Sequence, residues 1–382
     1  MKGAWNVNQQ NIRNLTLFDL LARSWALPAA VEALQFSADS SVAAFACANG
    51  TIALAALSDP EPPESRIRVS ADVGQTTIRP REKPAAPLIV TERLCDGAPL
   101  TTVSGKSEFL AGAADGRIVR VTATGEVSST EIRLDDAIVA LDHARGQGLT
   151  AVSDGADIFL ATASGGIIRS LARHGDGKVA ALGFSPSGRQ LAVCRGDEIS
   201  IWTLVGEPAL VRTISFPQVP AAVRWSADSE WIACPLESGG FGVARLADGK
   251  AGIVADFPAT VRTVSWSERA DALIASGAFR IAAWSMKLPP IEGETGGAIV
   301  TGRPGLVIVE AVAGHPTRPL AAAGYANGQI VVARIGERDE LLVKPSGGAV
   351  TALAWSADGR HLAAGTADGG ASLITFPAQM FK

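Results

Sequence analysis

The chain alternates short apolar runs with polar turns, and the alternation repeats along its length. The clearest copies span residues 221–246, 261–284 and 350–376. Each copy holds three apolar runs of strand length, separated by two turns. Some runs alternate apolar with polar residues, as at 117–121, and others are apolar throughout. Alternation predicts a strand with one solvated face, whereas a short continuous apolar run is typical of a strand buried on both faces.

The turns between these runs have a recurring chemistry. In five copies the first run ends in an aromatic residue followed by serine, at Phe36, Phe184, Trp225, Trp266 and Trp355. Asn-Gly or Asp-Gly dipeptides precede four of the third runs and begin at Asn49, Asp115, Asn327 and Asp368. Serine and aspartate bond to nearby backbone amides and glycine adopts positive φ, so both segments predict tight turns. Asn-Gly and Asp-Gly between apolar runs are also strong hairpin signals.

The period of the repeat predicts the architecture. Eight third runs can be counted, although merging the weak copies at 99–122 and 138–162 would give seven. No helix-period segment of useful length occurs between residues 30 and 376. A multi-stranded repeat of about 40–45 residues is the period of one propeller blade. We therefore predict an all-β protein over residues 1–382 that forms a single closed β-propeller of four-stranded blades, with eight blades favoured over seven.

The two ends of the chain predict how the ring closes. The last copy ends at Phe376 and the chain at residue 382, which leaves no sequence for a fourth strand. Residues 17–27 are apolar enough to supply that outer strand, with Trp25 beside the last blade. A ring closed in this way has no exposed sheet edge.

The repeat resembles that of the WD40-type β-propeller family over essentially the whole chain. The aromatic-Ser turn and the Asp/Asn-Gly turn carry the resemblance. Trp202 and Trp284 match the family's third-strand tryptophan, and His174 lies where the family has the histidine of its Gly-His dipeptide. The chain departs from the family because it has no Trp-Asp dipeptide and most copies lack Gly-His. The resemblance implies the fold and a role in binding proteins, and it identifies no subfamily.

Charge and hydropathy narrow the classes of partner. The net charge is −4, no basic run exceeds two residues, and there is a single tyrosine. The sequence therefore lacks the clusters of basic residues that bind nucleic acids or anionic membranes. No stretch reaches the ~18 consecutive apolar residues of a membrane helix. The N-terminus lacks the apolar core of a signal peptide. We expect a cytoplasmic protein that binds neither nucleic acid nor membranes.

Residue types that carry chemistry are scattered. The histidines lie in four separate copies, without spacing for a shared metal: His143, His174, His315 and His361. Three cysteines close second runs of different copies, where cysteine is a small apolar filler: Cys47, Cys194 and Cys234. The recurring serines lie in turns, and no G-x-S-x-G elbow occurs. We therefore predict no catalytic residue, metal or cofactor, and a protein that is not an enzyme.

Two long connections interrupt the repeat, at residues 58–87 and 287–305. The first is Pro-rich and charged at its ends, which cannot lie in a central strand. Either 66–70 or 87–93 could be the outer strand of the first blade. Each connection is either a solvated loop or an arm that docks on a partner, because long loops in compact domains are often functional.

The resemblance also implies where partners bind. WD40-type propellers usually bind partners on the face built by the loops that enter first strands and by the turns between second and third strands. Arg, Tyr and Trp often dominate binding energy. The candidate partner-binding residues are Lys178, Arg195, Asp197, Trp231, Glu237, Arg262, Arg280 and Tyr325. Trp231 begins a second run and has an alternative role in the core.

These observations favour a non-catalytic interaction or scaffold module that binds another protein, as a monomer or within a hetero-complex. Two alternatives use the central channel. One is a propeller enzyme of the lactonase or lyase type, with acids and histidines converging at the axis. The other is a propeller that senses a small ligand or metal ion.

Deletion of residues 1–27 should lower the melting temperature or cause aggregation, because it would remove the strand predicted to close the last blade. Thermal unfolding of the shortened chain checks this expectation. An unchanged melting temperature would contradict the predicted closure.

Overall fold

In the computed structural model, which describes residues 15–69, 76–162, 166–293 and 296–381, eight four-stranded antiparallel sheets form a ring. Each sheet is one blade. First strands of neighbouring blades lie next to each other, which places them around the axis. The predicted all-β propeller with eight blades is confirmed.

Each blade takes its strands in chain order from the axis outwards, except that β1 is the outer strand of blade 8. Blades 1 to 4 contain β2 (Val31–Phe36), β3 (Val42–Cys47), β4 (Ile52–Ala56) and β7 (Ile89–Val90); β8 (Leu100–Val103), β9 (Glu108–Gly112), β10 (Arg117–Thr122) and β11 (Val127–Arg133); β12 (Ala140–Ala144), β13 (Leu149–Ser153), β14 (Ile158–Thr162) and β15 (Ile167–Ser170); and β16 (Val179–Phe184), β17 (Gln190–Arg195), β18 (Glu198–Thr203) and β19 (Ala209–Ser215). Blades 5 to 8 contain β20 (Arg224–Trp225), β21 (Trp231–Pro235), β22 (Phe241–Arg245) and β23 (Ala251–Val254); β24 (Val264–Ser267), β25 (Ala272–Ala275), β26 (Ala282–Ser285) and β27 (Ala298–Val300); β28 (Val309–Gly314), β29 (Leu320–Tyr325), β30 (Ile330–Arg334) and β31 (Glu340–Lys344); and β32 (Val350–Trp355), β33 (His361–Thr366), β34 (Gly370–Thr375) and β1 (Ala22–Ala26).

The N-terminal segment closes the ring as predicted. Strand β1 pairs antiparallel with β34, and Trp25 lies opposite Ala371. The segment 17–27 is not a strand throughout, since a one-turn helix, α1 (Leu17–Leu21), precedes β1. Thr16 and Asp19 form a capping box at its start, which satisfies two backbone amides and explains the helical turn.

The insertion after blade 1 covers this closure. Arg23 of β1 is 3% exposed and donates to the carbonyls of Leu57 and Ser58, both at 3.1 Å. The indole Nε1 of Trp25 donates to the carbonyl of Ala86 at 2.8 Å. The start and the end of the insertion are thus bound to the closing strand, across the seam between blades 8 and 1.

The structure also decides between the two candidate outer strands of blade 1. Strand β7 lies within 87–93 and pairs with β4. The other candidate, 66–70, of which residue 70 lies outside the described residues, contains β5 (Ile67–Val69). This strand follows a 3-10 turn (Pro63–Arg66) and pairs with β6 (Thr76–Ile78) in a separate two-stranded sheet. A second 3-10 turn, Glu268–Ala270, lies in blade 6.

Eight hydrophobic clusters lie between the blades, one at each interface. The cluster between blades 4 and 5 contains Cys194 and Cys234, and both thiols are free and fully buried. Small residues such as alanine and cysteine allow sheets to pack closely, and each blade is covered on both faces only when its two neighbours are present.

The serine after the first strand organises the first turn of a blade. Ser226 Oγ donates to Asp228 Oδ1 at 2.5 Å and accepts from the Trp231 amide at 2.9 Å. The same donation occurs from Ser37 to Asp39 at 2.7 Å and from Ser356 to Asp358 at 2.6 Å. These bonds account for the recurring Ser-x-Asp turn.

The aromatic residue before that serine joins neighbouring blades. The indole Nε1 donates to a first-strand carbonyl 42 residues earlier, in the preceding blade. The pairs are Trp225 to Gly183 at 2.9 Å, Trp266 to Arg224 at 3.1 Å, and Trp355 to Ala313 at 3.2 Å. Gly183 and Arg224 directly precede Phe184 and Trp225, so each of these two carbonyls lies next to the equivalent aromatic position of the preceding blade.

Other side chains and backbone amides form hydrogen bonds between neighbouring blades at the remaining interfaces. They are Gln35 to the Thr101 carbonyl at 2.6 Å, Thr102 to Asp142 at 3.1 Å, the Phe184 amide to Asp142 at 2.7 Å, the Val312 amide to Thr263 at 2.9 Å, the Gly314 amide to Ser265 at 3.0 Å, and Thr351 to the Val31 carbonyl. With the three indoles, these bonds cross all eight interfaces between first strands. We call this set the inter-blade belt.

Trp225→Phe should lower the free energy of unfolding by about 1–3 kcal/mol, because it removes the donor to the Gly183 carbonyl within the belt. The matched control is Trp231→Phe, since Trp231 is also half-buried and its indole donates no hydrogen bond among the described residues. Urea unfolding measures both. Equal losses in the two variants would contradict the assigned role of the belt.

Candidate binding face and central channel

The ring has two ends built by different connections. The loops that enter first strands and the turns between second and third strands lie at one end, which we call the entry face. The turns between first and second strands, and between third and fourth strands, lie at the other end, which we call the opposite face. This division follows from the antiparallel pairing within every blade.

Five of the residues expected to bind a partner lie on the entry face. Lys178, Asp197, Glu237 and Arg262 are exposed, and Arg280 is half-buried. Arg262 Nε lies 3.0 Å from Glu310 Oε2, which ties blade 6 to blade 7 at this face. The structure therefore brings these charges to one end of the ring.

Arg195 and Tyr325 end second strands at the same face, but their side chains are buried. Arg195 is 3% exposed and donates to the carbonyls of Gly177 at 3.1 Å and Ala156 at 2.7 Å, which joins blade 4 to blade 3. Tyr325 packs in the cluster between blades 6 and 7, where burial raises its pKa to about 12. Both side chains are buried at interfaces between blades.

Trp231 lies elsewhere. It begins β21 and therefore lies on the opposite face, next to the turn that follows β20. The indole of Trp231 is half-buried against the cluster between blades 5 and 6. The guanidinium carbon of Arg245 lies 5.7 Å from the centroid of this indole. Trp231 is thus partly packed on the core and partly accessible, and its role in binding a partner stays a prediction.

The entry face also carries an apolar patch that the sequence did not predict. Phe279 lies in the second–third turn of blade 6 and is 42% exposed, and Leu306 lies in the loop entering blade 7 and is 94% exposed. The Gly305 amide donates to the Phe279 carbonyl at 3.0 Å, which brings the two connections together. Arg262 and Arg280 belong to the same blade. Apolar runs this short carry no sequence signal, and only the turn geometry shows that they are exposed.

The central channel contains a cavity of about 360 Å³ lined by first strands of blades 1 to 5. Asp142 lies in its wall and accepts from Thr102, the His143 amide and the Phe184 amide, at 3.1, 2.8 and 2.7 Å. The Arg224 side chain is exposed within the channel, and the only hydrogen bond from its guanidinium to a described residue is a long one, 3.4 Å to the Val223 carbonyl. Desolvation by the surrounding ring lowers the pKa of Arg224, and the charge of Asp142 opposes that shift.

The histidines do not converge on the axis. His143 Nδ1 lies 2.9 Å from Thr150 Oγ1, His174 Nε2 lies 2.9 Å from Thr213 Oγ1, and His361 Nδ1 lies 3.0 Å from Thr375 Oγ1. His315 Nε2 lies 3.0 Å from the Gly359 carbonyl, and its Nδ1 accepts from the Thr317 amide at 3.1 Å. Across the described part of the chain, no group of three or more His, Cys, Asp or Glu side chains could hold a metal ion.

The two contacts of His315 fix its protonation. A ring nitrogen that accepts a hydrogen bond carries no proton, so Nδ1 is bare and Nε2 donates to Gly359. The ring also lies 4.7 Å from that of Trp355, between centroids. The neutral imidazole thus links blade 7 to blade 8.

None of the described helices is long and apolar enough to span a membrane.

Comparison with known proteins supports the fold. Residues 314–378, which cover most of blades 7 and 8, match a family model described as the WD40 domain of anaphase-promoting complex subunit 4. No curated protein is significantly similar to the chain. The crystal structure of the computationally designed Ika8 protein is similar in fold, with a TM-score of 0.64 and 17% identity over 94% of this chain and 99% of that one. The eight-bladed ring and the family model matched over residues 314–378 confirm the predicted resemblance to WD40-type propellers.

Acid should destabilise this protein through its buried histidines. Burial lowers the pKa values of His143, His315 and His361 below 6.5. At acidic pH these three histidines bind more protons in the unfolded chain than in the folded one. Their contribution to the free energy of unfolding is therefore complete above pH 6.5 and is lost as the pH decreases below it.

Urea midpoints at pH 7.5 and 5.5 measure this effect. We expect a lower midpoint at pH 5.5, and a smaller decrease in a His315→Gln variant. A His174→Gln variant is the matched control. A decrease of equal size in wild type and His315→Gln would contradict the contribution of His315.

Proposed function

We propose that this chain is a non-catalytic protein-interaction module of the cytoplasm, in which residues 1–382 act as one propeller that binds another protein on its entry face. The fold itself suggests an interaction or scaffold role. The observation that carries the proposal is the apolar patch of Phe279 and Leu306, which lies on the same face of the ring as Arg262 and Arg280. An apolar centre with an arginine-rich rim is the composition of protein interfaces.

The exposure of Leu306 supports a binding role more than a structural one. A leucine that is 94% exposed contributes nothing to the core. Buried against a partner, such a side chain gains about 1.5–3 kcal/mol. The neighbouring charges, including the Arg262–Glu310 pair, would then orient the partner and exclude others.

The rigidity of the ring also supports this proposal. Asp197, Glu237 and Arg280 lie in turns between second and third strands, which the clusters and the belt hold in place. Arg195 fixes the entry face between blades 3 and 4. Binding to a surface that is already ordered costs less conformational entropy.

We assign different roles to the two long connections. The segment 287–305 leads directly to Leu306 and is bound to blade 7 by the Gly302 amide, which donates to the Glu337 carbonyl at 2.9 Å. It is proposed to present the patch. The segment 58–87 is proposed to act mainly as the cover of the seam.

The matched family model supports a role within an assembly. That model describes a domain of a subunit of the anaphase-promoting complex. By analogy, we propose that this propeller is one component of a hetero-complex and is itself a monomer.

A second candidate function uses the channel. The guanidinium of Arg224 carries five N–H donors and makes one long hydrogen bond to a described residue, within a cavity of about 360 Å³. A small anionic ligand would pair with it. Calorimetric titration with citrate and inorganic phosphate, against an Arg224→Gln variant, tests this candidate.

Charge and polarity changes on the entry face should abolish partner binding. In a tagged protein purified from its own cells, Arg262→Glu, Arg280→Glu and Leu306→Asp together should reduce a co-purifying protein at least tenfold, because they remove the patch and reverse its rim. Quantitative mass spectrometry measures the ratio.

The matched control combines Arg145→Glu, Arg189→Glu and Val205→Asp, which make the same changes at exposed positions of the opposite face. It should retain the partner. Retention by both variants, or the failure of any protein to co-purify reproducibly with wild type, would overturn the proposal.

A further inference from the structure

A separate cleft of about 260 Å³ lies on the opposite face, between blades 5 and 6. Its walls include two indoles, a thioether and three carboxylates, which belong to Trp231, Trp266, Met286, Asp228, Glu268 and Asp271. Ligand pockets commonly measure about 300–1,000 Å³, so this cleft has the size for one long side chain.

The turn of blade 6 differs from its counterparts and leaves a hydroxyl unpaired at this cleft. Ser267 occupies the position of Ser226 and Ser356, whose hydroxyls donate to an aspartate two residues later. Arg269 replaces that aspartate, and the chain instead forms the 3-10 turn Glu268–Ala270. Ser267 lines the cleft, is 1% exposed, and its Oγ has no hydrogen-bond partner among the described residues.

This hydroxyl is unusual because buried polar groups in proteins are nearly always hydrogen-bonded. An unpaired hydroxyl in the wall of an accessible cleft has hydrogen-bonding capacity left for a group that enters the cleft. The Asp271 backbone is left-handed, with φ of 47°, and this conformation places the residue at the rim of the same cleft.

The chemistry of the walls specifies a cation. Three carboxylates line the cleft and no lysine or arginine does, among the described residues. Indole faces attract cations, and Trp231 already has the Arg245 guanidinium 5.7 Å from its centroid. Arg245 is itself paired with Asp248 and does not line the cleft, so it leaves the cleft carboxylates without a counter-charge from its own side chain.

We propose that this cleft binds an arginine side chain of a protein partner. A planar guanidinium stacks on indoles, donates to two carboxylates at once and has further N–H groups for the Ser267 hydroxyl. The inference rests on the proposed function to the extent that the ligand belongs to a protein, but it concerns the other face of the ring.

The experiment titrates the full-length protein with the peptide acetyl-Gly-Gly-Arg-Gly-Gly-amide, and with the same peptide carrying citrulline, the neutral isostere of arginine. Resonances of the tryptophan indoles in NMR spectra report binding. We expect millimolar affinity for the arginine peptide, shifts confined to Trp231 and Trp266, and at least fivefold weaker binding of the citrulline peptide.

A cleft variant and a matched control locate the site. Glu268→Gln with Asp271→Asn should weaken binding of the arginine peptide at least fivefold, and asparagine tolerates the left-handed backbone at 271. Glu131→Gln with Asp135→Asn removes the same charge at exposed positions away from the cleft and should leave binding unchanged. Asp228 is left intact because it accepts the structural hydrogen bond from Ser226.

Equal binding of arginine and citrulline, shifts elsewhere in the ring, or a cleft variant that behaves as the control would overturn the inference. Melting temperatures establish that the variants are folded. The entry-face variant described above should still bind the peptide, so retention of the cellular partner by that variant, with normal peptide binding, would count against the proposed function alone.

Discussion

The packing of first strand against first strand around the axis is the interaction on which this structure depends. A single blade is a thin sheet that cannot bury both faces, and each hydrophobic cluster requires two blades. The inter-blade belt adds directional bonds to these clusters. Because the belt reuses one donor position, at Trp225, Trp266 and Trp355, a residue in the repeat satisfies a carbonyl of the blade before it.

Closure turns these pairwise contacts into a ring. Strand β1 completes blade 8, and Arg23 binds the chain that leaves blade 1. Every blade then has two neighbours, and the connections at both ends of the ring are held as rigid surfaces. The proposed entry-face patch and the cleft between blades 5 and 6 both depend on this rigidity, since each is built from two neighbouring blades.

The sequence predicted the fold well because hairpin signals are local. Asn-Gly and Ser-x-Asp turns, and apolar runs of strand length, were enough to predict eight blades and the N-terminal closure. Burial at the blade interfaces was less accessible. Arg195 and Tyr325 looked like surface residues because their burial depends on neighbouring blades. The patch at Leu306 and the unpaired Ser267 hydroxyl depend on how turns are placed, which the pattern of apolar residues does not specify.

Native-state hydrogen exchange tests the central claim most directly. If first strands stabilise one another around a closed ring, their amides in all eight blades should exchange slowly and with one common free energy of opening. Blade 8 should be as protected as the blades built from a continuous segment. Separate opening energies for individual blades, with blade 8 opening first, would contradict the account.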